Sequence, residues 1–143
     1  MVNSKQIKKI LVATDGSKNS LRAGKFAINL AKKTGSELIV VSVIVDPPYM
    51  IAGPRYFAAA RIRWHKKWND KILSLARSGG VRASAQVLQS DSIVKSLLDF
   101  ASSKKVDLLV VGTRGLGAFK RLTIGSVSSA AVNHATCSVL VVR

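Results

Sequence analysis

Residues 106–126 read VDLLVVGTRGLGAFKRLTIGS. A short, β-branched apolar run ends at Gly112, and the segment from Gly112 to Ser126 holds four glycines, three cations and no acid. An apolar run of this length, closed by glycine, reads as a strand buried on both faces of a helix-covered parallel sheet. The permissive, positive segment then leaves the strand at its C-terminal end, where open α/β sheets collect ligands.

Working outward, the rest of the chain follows the same alternation. IKKILVATDGS predicts a strand at about 7–14. In SKNSLRAGKFAINLAKKTG, Ser17 is a candidate N-cap, Leu21, Gly24, Ala27, Ile28 and Ala31 recur at helical spacing, and Gly35 stops the helix. ELIVVSVIVDPP is a second buried strand, ended by Pro47 and Pro48. A long helix is expected from near Pro54. In it Phe57, Trp64, Trp68, Ile72 and Leu75 would share a core face, with Arg63, Lys66, Lys67 and Arg77 opposite.

VRASAQVLQ alternates as a strand, and SDSIVKSLLDFASSKK places Ile93, Leu97 and Ala101 four apart on a helix. SVSSAAVNHA predicts a small-residue helix, and CSVLVVR a last strand. Five strands alternating with four helices predict an α/β fold and one domain over 1–143. Right-handed crossovers favour a doubly wound five-stranded parallel sheet of order 3-2-1-4-5, with helices on both faces.

Apolar residues make up 48% of the 143, enough for a real core. No apolar run approaches the roughly 20 residues of a membrane span. The N-terminal stretch lacks the pattern of a signal peptide, so a cytoplasmic location is expected. Cys137 is the only cysteine, which excludes a disulfide within the chain and a cysteine-based zinc cluster; it reads as a small buried apolar residue. Twenty-three Lys and Arg against seven Asp and Glu give +16. Such a surplus attracts polyanions, whether nucleic acid, anionic lipid or nucleotide phosphates.

Order 3-2-1-4-5 puts the reversal of winding between the first and fourth strands, so TDGS (14–17) would face the glycine-rich segment. Two familiar phosphate motifs fail there. Ala118 stands at the lysine position of a P-loop, and Lys120 where the third glycine of a dinucleotide fingerprint belongs. What remains is Gly112-x2-Gly115-x9-Gly125-Ser126. Gly112 and Gly115 let backbone amides approach an anion, and Gly125 and Ser126 open a helix whose N-terminus favours phosphate. Ser126, Val127 and Ser128 offer amides and hydroxyls, while Arg114, Lys120 and Arg121 raise the local potential. The alternative is a surface loop followed by an ordinary serine N-cap.

This pattern, with DLLVVGTRGLGAFKRLTIGSVSSAAVNHATCSVLVVR around it and ILVATDGSKNSLRAGKFAINLA at the start, closely resembles the universal stress proteins over nearly the whole chain. The glycine pattern marks the ATP-binding subset of that family, whose fold is Rossmann-like. The resemblance implies that Asp15 contacts the ribose side, Ala13 and Thr14 line the base pocket, and Val43 meets the adenine edge through its backbone. It further implies that Val111 and Gly112 border the ribose and that Gly115, Gly125, Ser126 and Val127 hold the phosphates, with Arg114 between them. ATP, with AMP or ADP as variants, is the implied ligand, with Mg²⁺ on the phosphates and a homodimer joined through the last strand. Ser138 departs from a common proline, and Ser90-Asp91 from a common Gly-Asp pair.

Efficient phosphoryl transfer needs metal ligands, a stabilising cation and a group that orients the nucleophile. Asp15 is the only evident acid of the expected crevice. His65 falls on the second helix, and His134 near the end of the fourth, where it suits the helix C-terminus. The residues therefore point to a nucleotide-binding regulatory or sensor protein with slow or no hydrolysis, and the resemblance implies a role in stress response. The rival is a nucleic-acid or anionic-surface binder using the cationic face of the second helix and Lys5, Lys8 and Lys9.

Overall fold

Five strands, β1 (Lys9–Ala13), β2 (Glu37–Val45), β3 (Ala83–Ser90), β4 (Leu108–Gly112) and β5 (Ser138–Val142), alternate with four helices. The helices are α1 (Lys18–Thr34), α2 (Arg55–Ser78), α3 (Ile93–Ser103) and α4 (Ser126–His134). The computed structural model describes residues 5–45, 55–113 and 124–143, with the side chains of 55–58 left aside. Pro47, Pro48, Pro54 and the side chain of Phe57 lie outside that description. All strand pairings are parallel, in the order β3-β2-β1-β4-β5. The expected doubly wound sheet is the one observed.

Alternation along the central strands builds two cores. Ile10, Val12, Leu38, Val40, Leu108 and Val110 pack on one face against Ala23, Ala27, Ile28 and Ala31 of α1 and Ile72 and Ala76 of α2. Leu11, Ile39, Val41, Leu109 and Val111 pack on the other against Leu97 and Ala101 of α3 and Ala131 of α4. Two helices per face follow from right-handed crossovers that run outward in opposite directions from β1. Cys137 is half-buried against the second core, and burial pushes its thiol pKa up, as a structural cysteine requires.

The ends of α1 are set by the expected residues, and α3 is capped in the same way. Ser17 caps α1, its hydroxyl accepting the Ser20 N–H at 3.1 Å, and Gly35 closes it with φ 69°. Ser92 caps α3 through the Lys95 N–H at 3.2 Å. Asp107, just before β4, accepts the N–H groups of Lys8 and Lys9 at 3.0 and 3.1 Å and the Lys5 ammonium at 3.0 Å. The Lys5 bond first, then the backbone donors, hold its carboxyl below the usual carboxylate range. This clamp fastens the start of β1 to the start of β4.

The core stripe of α2 is a correction. Trp64 and Leu75 are 45% and 40% exposed, whereas Asn69, Ile72 and Ala76 are buried. Asn69 turns the stripe. Its Oδ1 accepts the Ser42 hydroxyl at 2.6 Å, and its Nδ2 donates to the Gln86 carbonyl at 3.1 Å. A buried amide with both ends bonded is tolerated in a core, so the helix rotates toward Asn69 and away from its larger apolar residues. Arg63, Lys66, Lys67 and Arg77 are exposed, as expected. Among the described residues no helix is long and apolar enough to cross a membrane.

Candidate functional site

β1 and β4 are neighbours at the reversal of winding, with Ile10, Leu11 and Val12 in register with Leu108, Leu109 and Val110. The crevice beyond their C-terminal ends brings together Ala13, Thr14 and Asp15 from one strand and Val111 and Gly112 from the other. Gly112 packs flush against α1: a Cβ there would lie 3.0 Å from the backbone C and O of Asn19. The absence of a side chain lets the end of β4 meet the first turn of α1 and closes the base of the crevice.

The turn after β1 is internally wired. Thr14 is buried, its hydroxyl 3.1 Å from that of Ser20, and it accepts the Gly16 N–H at 3.4 Å. The Asp15 N–H donates to Ser20 Oγ at 3.4 Å, and Asp15 Oδ1 accepts the Ser17 N–H at 2.9 Å. Three successive amides are thus occupied by side chains of the turn itself.

The start of α4 is different. Its N-cap is Gly125, with φ −71° and ψ 168°, and no side chain among the described residues caps the helix. The serine N-cap envisaged as an alternative is absent here. The Gly125 N–H donates to the Thr113 carbonyl, and Thr113 in turn donates its N–H to Val142 at 3.0 Å. Residues 114–123, which include Arg114, Gly115, Ala118, Lys120 and Arg121, lie outside the described residues, but both ends of that segment are pinned together. Ser126 is exposed and Val127 half-buried. Ser128 is buried, and its hydroxyl, 3.1 Å from the carbonyls of Thr113 and Gly125, is used to hold the turn. It therefore has its amide, not its hydroxyl, to offer a ligand.

Val43 sits two residues beyond Val41, whose carbonyl accepts the Thr14 N–H at 2.9 Å. Backbone groups two residues apart in a strand point the same way, so those of Val43 turn toward the crevice side, where the pairing of β1 with β2 has ended at Ala13 and Val41.

The sequence does not reveal the contribution of α2. A helix of 24 residues is about 36 Å long, against about 26 Å for the eight-residue β3. Its N-terminal half therefore overhangs the sheet at the crevice end. Gly16 has φ 85°, and a Cβ there would lie 2.8 and 2.9 Å from Trp68 Cδ1 and Nε1 and 3.2 Å from Trp64 Cζ2. The two indoles meet edge to face, with centroids 5.7 Å apart, and Lys71 Nζ lies 5.1 Å from the Trp68 ring.

Trp68 Nε1 and His65 Nδ1 are both buried without a hydrogen-bond partner among the described residues. A buried polar group left so costs about 1–3 kcal/mol. Burial, and then the Arg61 guanidinium, lower the His65 pKa, while the Asp15 carboxylate acts in the opposite sense. His65 thus lies within electrostatic reach of the Asp15 carboxylate. Arg61 also donates to the Val45 carbonyl at the end of β2. His134 is exposed in the last turn of α4. Among the described residues no group of three or more His, Cys, Asp or Glu is placed to hold a metal ion.

Comparison with known proteins agrees with the fold and gives the family. A universal stress protein of Thermus aquaticus is 36% identical over 136 residues, covering 95% of this chain and 98% of its own. Among solved structures, a universal stress protein in complex with cAMP superposes with a TM-score of 0.76 at 23% identity, over 97% of this chain and 99% of its own. The universal stress protein from Archaeoglobus fulgidus in complex with dAMP gives 0.74 at 20% identity, over 97% and 100%. The universal stress protein family matches residues 6–143, and the chain belongs to that family.

Proposed function

We propose that the chain binds an adenine nucleotide, ATP foremost, across the ends of β1 and β4 and acts as a nucleotide-dependent regulator in stress response. The observation that carries this reading is the N-terminus of α4, left without a side-chain cap beside the reversal of winding. Free amides and the helix dipole make that position favourable for phosphate. The cAMP and dAMP complexes of the two similar structures support an adenine ligand.

In this reading the amides of Ser126, Val127 and Ser128 hold the phosphates, Gly125 leaves room for their approach because its own N–H is bonded to Thr113, and Gly115 and Arg114 join from the intervening segment. Asp15, Val111 and Gly112 border the ribose, Ala13 and Thr14 line the base, and the Val43 backbone reads the adenine edge. Mg²⁺ would ride on the phosphates and water, since the described residues supply no cluster for it. With no acid cluster among the described residues to hold a metal, hydrolysis is slow or absent in this reading. The outer edge of β5, at the end of the sheet, is where a second copy pairs to form a homodimer.

Gly125→Val tests the site. The φ and ψ of Gly125 are those of extended backbone that valine adopts readily, so the backbone does not oppose the change, and circular dichroism of the variant checks its fold. A branched side chain there obstructs the phosphate approach. Calorimetry should show ATP affinity falling by about tenfold or more, which corresponds to at least ~1.4 kcal/mol. Unchanged affinity in the folded variant would place the site elsewhere.

A further inference from the structure

The β1–α1 turn and α2 hold a feature that the nucleotide reading leaves unused. Trp68 Nε1 and His65 Nδ1, three residues apart on α2, are buried and have no hydrogen-bond partner among the described residues. Residues at this spacing lie on one side of a helix. The pyrrole edge of Trp68 occupies the space where a side chain on residue 16 would stand, 2.9 Å from Nε1 to that Cβ position. His65 senses the charge of Asp15, the neighbour of Gly16. The pyrrole edge of Trp68 therefore meets the Asp15–Gly16 turn, and His65 lies three residues before it on the same side of α2.

The chemistry of the pair narrows what satisfies it. An indole N–H only donates. Neutral imidazole with its proton on Nε2 accepts at Nδ1, and the depressed pKa of His65 keeps the ring neutral near pH 7. A hydroxyl is the small group that accepts from one partner and donates to the other through a single oxygen. Its own oxygen carries no charge to repel the Asp15 carboxylate.

We propose that Trp68 and His65 are specificity-determining residues that bind one sugar hydroxyl of the nucleotide beside Asp15. The inference rests on the nucleotide reading and deepens it: the site distinguishes a ribonucleotide from its deoxy counterpart. Trp64, packed edge to face on Trp68, fixes the indole orientation.

The test is calorimetry of the full chain and of Trp68→Phe with ATP, 2′-deoxy-ATP and 3′-deoxy-ATP. Phenylalanine keeps the ring packed on Gly16 and removes the N–H. The wild type should prefer ATP over one of the two deoxy nucleotides by about tenfold, the scale of one well-made buried hydrogen bond. Trp68→Phe should weaken ATP to the level of that analogue and leave the analogue itself within about twofold. His65→Leu, which removes the acceptor, should collapse the same preference. An unchanged preference in both variants would overturn the proposal, since the orphan atoms would then be serving a buried water. Equal weakening of all three nucleotides would overturn it as well, by assigning the pair to another part of the ligand. A wild type that binds none of them overturns the nucleotide reading and this inference together, an outcome distinct from the other two.

Discussion

His65 carries a pH dependence as well as a contact. Burial and Arg61 outweigh Asp15, so its pKa in the folded chain lies below the 6.5 of an exposed histidine. Below pH 6.5 the unfolded chain binds a proton that the folded one resists. The stabilisation is complete above that value and is lost as pH falls toward the folded pKa. We expect the melting temperature of the wild type to drop between about pH 7 and pH 5, and His65→Gln to flatten that slope. The Asp107 clamp titrates below the ordinary carboxylate pKa of 3.8 and leaves this window alone. Identical slopes in the two proteins would contradict the burial of a neutral His65. No residue pattern announces this histidine. Its spacing on α2 is ordinary, and only the overhang of the helix brings it to Asp15. Gly125 and Asp15, by contrast, are visible in the sequence, Gly125 through its place in the Gly112-x2-Gly115-x9-Gly125-Ser126 spacing and Asp15 because it follows the first buried strand.

At the scale of elements, strands and caps were legible and one helix face was not. The alternation of β3, the buried run of β4 and the caps Ser17 and Gly35 all follow from local chemistry. On α2, hydrophobicity ranks Trp64 and Leu75 above Asn69 and Ala76, while packing reverses the order, because the partners of Asn69 lie on β2 and β3. A long-range hydrogen bond leaves no local trace. β5 poses the other question at this scale. It ends the sheet, and Val139, Leu140 and Val141 are only partly buried. An apolar edge of this kind invites pairing. Light scattering should give twice 15.3 kDa for the wild type, and Val141→Lys should shift it toward monomer. A wild type that stays monomeric at high micromolar concentration would contradict the pairing.

For the whole molecule, the sheet order follows from alternation and handed crossovers, and it alone places the crevice between β1 and β4. The site is therefore as legible as the topology, apart from the wall that α2 supplies. The charge of +16 spreads over exposed positions including Arg63, Lys66 and Lys67, a surface to which a polyanion would also be drawn. Amide chemical shifts of the isotopically labelled chain, followed while ATP is added, separate a crevice from a surface. The account predicts saturable shifts at 13–17, Val43, 111–113 and 125–128, unaffected by moderate salt. Shifts confined to the exposed face of α2 around Lys66 and Lys67, fading as salt rises, would contradict it.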